Sequence, residues 1–346
     1  MKKLYLCLIF ACITWTNVFA QEKKENDQYP YSLPIWGDKA YERGIDLPLP
    51  IGIGINYVYN EMYLDITEFG MSVNGLDMSP WLNKETLGFQ QTMASSNGIN
   101  LRIDAWVLPF INVYGLFSQN SGSTAVSLKP DFSNLGAQVP GASGLEFPLF
   151  SSTVDFEATA LGLGATLVYG YKNYFISGDI NHSWTNTELL TNQVGVLTSS
   201  IRVGHSWKMA KQRRFVFYVG AMYRDFTKAE GNSGSIKFNE ALPGIDQAYD
   251  EWYNGLSRTQ KAVLNGVYNS IEKAVYDKTG EEVNIGDGNL FTSDIGYNIE
   301  KDLIQKTSIE FGGQFEINRH WALRGEFGIA DELKFILFGM NYRFGF

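Results

Sequence analysis

The sequence predicts an all-β fold, a transmembrane antiparallel β-barrel of about twelve strands (10–14) with one helical insertion. The first observation is alternation. In Lys334 to Phe346 every second side chain (Ile336, Phe338, Met340, Tyr342, Phe344, Phe346) is apolar or aromatic, while the other set includes Asn341 and Arg343. Strand side chains alternate between faces, so this segment has one greasy face and one mixed face. The second observation is that the pattern returns in segment after segment. So many strands enclose too wide an interior for a packed apolar core, whereas a polar interior and a lipid-facing exterior fit. The third is that no stretch after the N-terminus holds 18 uncharged apolar residues, so no helix is long and apolar enough to cross a membrane. One alternating strand alone also suits a soluble sandwich; the number of strands decides.

The chain opens with Lys2 and Lys3, an apolar run from Leu4 to Ile13, and Val18-Phe19-Ala20. This is the form of a cleavable export signal, assigned to 1–20. A lipoprotein reading would use Cys12, but Phe10 fits a lipobox poorly and apolar residues follow the cysteine. With an export signal in front, the ending Tyr342, Phe344, Phe346 resembles the C-terminal assembly signal of bacterial outer-membrane β-barrels. The resemblance implies the outer membrane of a Gram-negative cell, with its lipid and the barrel-assembly machinery as partners. Both cysteines, Cys7 and Cys12, lie inside the signal, so the remaining chain has no disulfide, cysteine–metal site or thiol nucleophile. A closed barrel, all its backbone groups paired, supplies stability instead. Losing Lys2 and Lys3 takes the 28 basic residues to 26 against 37 acidic ones, a net charge of −11, which argues against nucleic acid as a partner. The 19 Tyr and 23 Phe suit strands with aromatic ends. Residues 21–47, polar and then Pro- and Trp-containing, read as a periplasmic tail, and 48–346 as the barrel.

The regular part begins where Ile51, Ile53, Ile55, Tyr57 and Tyr59 share a face and Gly52, Gly54 and Asn56 share the other; alternation continues weakly through Ile66. Residues 74–97, with Pro80 and Trp81, read as a loop with a helical turn near 83–92. Ile99 to Val107 alternates with Asn100, Arg102, Asp104 and Trp106 until Pro109, which cannot donate to a ladder. The chain returns as Ile111 to Phe117, and 123–129 reads as a further short strand. The stretches DLPLPIGIGINY and RIDAWVLPFINVYGL resemble poorly characterised outer-membrane barrel families loosely linked to the degradation and transport of aromatic compounds. That resemblance implies architecture and location, and it carries no catalytic motif. Residues 130–153 are a Pro/Gly/Ser-rich loop. Strands follow at 156–171, 174–186, 194–207, 214–227, 308–317 and 321–329. Between them, 239–282 reads as helix: Pro243-Gly244 opens it, Ser257 is an N-cap and Gly280 a stop. It is a cap on a barrel mouth, a plug in the lumen or a partner-binding arm. Twelve strands would put the insertions 130–154 and 228–289 on the periplasmic side or inside the barrel.

Chemistry is sparse. His182 and His205 stand in His-Ser-Trp triplets, but adjacent strand residues point to opposite faces, so neither serves its serine readily. With Trp184, Trp207 and Trp321 they read as lipid-interface girdles. His320 stands alone in a turn, no cluster has metal-ligand spacing, and no cofactor is expected. Asp287 in GDGN resembles part of a calcium loop without the EF-hand pattern and reads as a turn. The inward set Arg102, Asp104, Asp179, Arg202, Arg224, Glu310, Glu316, Arg324, Glu326 and Arg343 is the candidate lumen lining: an ion-pair network that holds the wall, or a polar pathway for a small solute. With both signs present, no strong ion selectivity is expected. The functions left open are a passive channel or transporter, a lipid-modifying outer-membrane enzyme, and a structural or partner-binding barrel.

Overall fold

The structure is a computed structural model that describes residues 29–131, 145–210, 212–227, 232–237, 240, 243–280, 282–284 and 294–345. The export signal expected at 1–20, Asp287 and Phe346 lie outside them. The strands are β1 (Ile51–Val73), β2 (Leu76–Asp77), β3 (Thr92–Leu108), β4 (Ile111–Leu128), β5 (Phe150–Tyr171), β6 (Tyr174–Thr187), β7 (Val194–Lys208), β8 (Arg214–Thr227), β9 (Ser233–Lys237), β10 (Asp294–Leu303), β11 (Thr307–Glu316), β12 (Trp321–Ala330) and β13 (Leu333–Phe344). The helices are α1 (Gly37–Glu42), α2 (Lys84–Leu87), α3 (Ile245–Gly255) and α4 (Arg258–Thr279).

Ten strands close into an antiparallel ring in the order β1, β3, β4, β5, β6, β7, β8, β11, β12, β13. The last pairs with the first, from Ile51 opposite Phe344 to Met62 opposite Leu333. Closure leaves no open edge on the ring. The count is ten rather than twelve for two reasons. Residues 123–129 are no separate strand, because β4 runs unbroken to Leu128 and pairs with β5 along its whole length. The segment before β11 does form a strand, β10, but it lies outside the ring. It pairs with the overhang of β1 from Leu64 to Val73, and β9 and β2 add to this extension. A further correction concerns 92–97, the end of the stretch 74–97 read as a loop: it pairs with the upper part of β1 and starts β3.

With ten strands the connections sort into two rims. The strand ends joined through the short connections Pro109-Phe110, Lys172-Asn173, 209–213 and 317–320 lie at one rim, where β1 begins and β13 ends. The strand ends that bound the connections 74–91, 129–149 and 228–306 all lie at the other rim. The placement of long insertions on the side of the barrel termini, which followed from twelve strands, is therefore overturned.

Above the long-loop rim the insertions share one apolar core. Leu264, Val267, Ile271 and Val275 line one face of α4 and pack with Ile245, with Met71 and Val73 of β1, with Met78 and Leu82, with Phe147 and Phe150, and with Ile295 of β10. Local signals bound α4. Ser257 and Gln260 form a reciprocal capping box, and Gly280 ends the helix in the left-handed region (φ 75°). The Tyr249 and Tyr268 hydroxyls meet at 2.7 Å across the helix pair, and burial pushes both above the usual tyrosine range, so both stay protonated. The helices thus pack beside the overhang of β1, on β10 and on the segments around Met78 and Phe147.

Candidate functional site

Taking ten strands about 4.8 Å apart and tilted by about 40°, the backbone cylinder is about 20 Å across. Long side chains from well-separated strands can then meet inside. Arg202 on β7 lies 2.8 Å from Glu310 on β11 and 3.2 Å from Glu326 on β12, which is three places away around the ring. Only the interior offers that path. Arg324 joins Glu326 as a short ion pair, the Tyr218 hydroxyl donates to Glu326 at 2.5 Å, and Arg324 Nε donates to the Tyr218 oxygen at 3.2 Å. Glu310 is fully buried and Glu326 is 5% exposed. The Arg324 side chain keeps 30% exposure although it is enclosed by the wall, so open space reaches it inside the barrel.

A second network lies nearer the short-turn rim. Arg343 on β13 pairs with Asp104 on β3 at 2.9 Å. Asn112 donates to Asp104 at 2.6 Å and accepts from Arg102 at 3.0 Å. The Arg102 guanidinium sits 3.6 Å above the Tyr114 ring, and the Tyr114 and Thr166 hydroxyls donate to Asp179 at 2.7 and 2.5 Å. Two glycines make room for the tyrosines: a Cβ at Gly312 would strike the Tyr218 ring, and one at Gly164 the Tyr114 ring. Buried polar groups need partners throughout, and these networks supply them.

Eight of the ten inward candidates thus gather in two clusters. Glu316 stands apart at the short-turn rim, 3.0 Å from Arg214. Arg224 lies toward the other end, where Nη1 donates to Asn60 on β1 at 3.2 Å, four places around the ring. Sequence reasoning missed Tyr114, Tyr218, Asn112, Thr166 and Asn60. Their inward parity was visible; their partners depend on a register that no local pattern encodes.

The outer face is the reverse. Ile53, Ile103, Leu161, Leu167, Ile201, Val203, Ile309 and Phe338 are all exposed. An aromatic row borders the belt near the short turns: Tyr174 against His205, His205 against Trp207, Trp207 on Phe215, and Trp321 against Tyr342. Trp184, packed on His182, is at the other border. Tyr174 and Trp184 are ten residues apart on β6, which at about 3.4 Å per residue and about 40° of tilt spans about 25 Å. Both histidines therefore lie on the outer wall, and His320 bonds the Arg343 carbonyl (2.8 Å) in its turn.

The tail lies across the short-turn mouth. Ile35 N–H donates to the Val107 carbonyl on β3 (2.8 Å). Asp46 then meets Arg214 (3.3 Å), Lys208 (3.6 Å) and Arg319 (3.7 Å) at β8, β7 and the β11–β12 turn. The Leu49 carbonyl accepts from Arg343 Nε (2.8 Å) just before β1. β3 and β8 are five places apart in a ring of ten, so the tail crosses the opening and returns.

No family model matches the sequence, and no curated protein matches it. Among solved structures the chain is similar to outer-membrane β-barrels. The β domain of the Bordetella autotransporter BrkA is 8% identical, with 84% of this chain and 99% of that one covered and a TM-score of 0.36. The outer membrane protein OprG from Pseudomonas aeruginosa is 9% identical over 87% and 98%, TM-score 0.36. The Ralstonia pickettii toluene transporter TbuX is 10% identical over 86% and 90%, TM-score 0.30. At these scores the likenesses assign no activity to this chain.

Proposed function

We propose that the chain is an outer-membrane β-barrel that passes small solutes through a narrow polar interior. The observation that carries this reading is the inverted wall: a contiguous apolar exterior about 25 Å tall between aromatic borders, around an interior of charged and hydroxyl side chains. A water-soluble barrel has the opposite polarity. In this reading the signal 1–20 directs export, the C-terminal strand with Tyr342, Phe344 and Phe346 engages the assembly machinery, and outer-membrane lipid covers the belt. Both barrel ends lie at the short-turn rim, which faces the periplasm with the tail, and the helical insertion faces outward. The inward residues line the passage around the two networks. Planar-bilayer recording of the purified protein tests the passage. Discrete conductance steps are expected, and a barrel that inserts but stays electrically silent in repeated trials overturns it.

A further inference from the structure

The two networks leave a charge over. Among the described residues, the inner face of the ring carries five arginines between its rims (Arg102, Arg202, Arg224, Arg324, Arg343) against four acids (Asp104, Asp179, Glu310, Glu326). Arg202, Arg324 and Arg343 are ion-paired, and Arg102 is joined to Asp104 through Asn112. Among the described residues Arg224 has no carboxylate partner. A guanidinium has five N–H donors. Here one meets the Asn60 oxygen and another lies 3.9 Å from Met222 Sδ. The Phe335 ring lies 6.0 Å from the guanidinium and is buried, as is Met222, so an apolar wall flanks the unfilled donors. On the adjoining strand Ser308, opposite Met222, has a buried hydroxyl without a hydrogen-bond partner among the described residues.

A second such cation follows toward the helical insertion. Lys301 on β10 is opposite Ile66 on β1, on the same face as the buried Leu303 and Ile299. That face continues the inner wall of the ring, since Leu64 and Leu303 pack with Ala94 of β3. Like Arg224, Lys301 has no acidic partner among the described residues. The inner acids Asp104, Glu310 and Glu326 are ion-paired, and Asp179 accepts two hydroxyls.

We propose that the solute is an anion, a small organic carboxylate, bound by the guanidinium of Arg224 with its apolar body against Phe335 and Met222, and reaching that site past Lys301. The proposal rests on the passage reading for its route, but the site itself does not. Arginine presents donor pairs that match a carboxylate, and an uncompensated positive wall draws anions into a narrow path and repels cations.

Two measurements on the full-length protein separate the site from the passage. The first is the reversal potential in planar bilayers under a KCl gradient. Chloride should be preferred over potassium in the wild type; the preference should fall toward unity in Arg224→Gln and Lys301→Gln, persist in Arg224→Lys, and reverse in the double variant Arg224→Glu with Lys301→Glu. Conductance that is unselective, or selectivity that Arg224→Gln leaves unchanged, overturns the anion pathway while the passage stands. The second is calorimetric titration of the detergent-solubilised protein with benzoate. Saturable binding should weaken by at least about tenfold in Arg224→Gln. A silent barrel that binds benzoate through Arg224 overturns the passage and keeps the site; absence of saturable binding, or binding indifferent to Arg224, overturns the site.

Discussion

Replacing Glu326 by alanine removes the carboxylate on which the larger interior network converges. Three donors lose it: Arg324, Arg202 and the Tyr218 hydroxyl. Arg202 retains Glu310 at 2.8 Å, so its loss is small. Arg324 is left without a carboxylate inside the wall, a situation that costs about 3–5 kcal/mol for a fully buried ion. Its 30% exposure to interior space lowers that to about 3 kcal/mol, and an orphaned Tyr218 hydroxyl adds about 1 kcal/mol. A loss of about 3–4 kcal/mol is two to three decades in the folding equilibrium. With a urea dependence of about 1–3 kcal/mol per molar, the midpoint should fall by at least about 1 M. The assay is folding into lipid vesicles at graded urea, followed by tryptophan fluorescence and heat-modifiable gel mobility. Arg214→Ala is the control. It breaks the partly exposed pairs with Glu316 and Asp46 at the rim, where the cost should stay at or below about 1 kcal/mol. The double variant Glu326→Ala with Arg324→Met removes the stranded charge and should recover much of the loss. A Glu326→Ala midpoint no lower than that of the Arg214→Ala control refutes the reasoning that this network is enclosed and holds the wall.

Three other expectations test the proposed setting. Ile201 lies mid-belt, opposite Gly178, between the Tyr174 and Trp184 borders; Ile201→Arg should cost about 2–4 kcal/mol in vesicles if lipid covers the wall, whereas a change within about 0.5 kcal/mol is the behaviour of a water-exposed surface. A cysteine placed at the exposed Ser257, in a chain whose own cysteines both lie within 1–20, should react with an impermeant maleimide on intact cells; reaction only after lysis reverses the proposed orientation. Asp46→Lys turns three attractions at the short-turn mouth into repulsions, so open-channel conductance should rise; an unchanged conductance means the tail does not cover the path.

The faces of the wall were legible because alternation is a local property. Phe338 and Met340 on β13, or Glu310 and Arg324 on β11 and β12, declare their side from their neighbours in sequence alone. Helix ends were legible for the same reason: Ser257 and Gly280 act within one turn. Strand membership was not. β10 has the alternation of a wall strand, yet β13 already occupies the flank of β1 as far as Met62, so β10 can pair only with the overhang that begins at Leu64. Nor was the tail legible. Asp46 gains its meaning from Lys208, Arg214 and Arg319, all more than 150 positions away in the chain. The closing of a ring is a global constraint, and a residue whose role is to bridge it carries no local mark.

Strand number then controls what the inward residues can be. A wider ring would keep Arg202 and Glu326 on separate stretches of wall, each facing water, and opposite charges there would average to an unselective lining. In a ring of ten they meet, and meeting neutralises them. Selectivity in such a barrel follows from the residues the pairing leaves over, not from the total of each sign. Arg224 and Lys301 are conspicuous only after the pairs are drawn, and the sequence composition, acidic by 37 to 28, points the other way. An acidic chain can enclose a positive path because the surplus acids sit on other surfaces, such as Asp65 and Glu68 on the overhang of β1 and Glu251 on α3, where water and salt screen them.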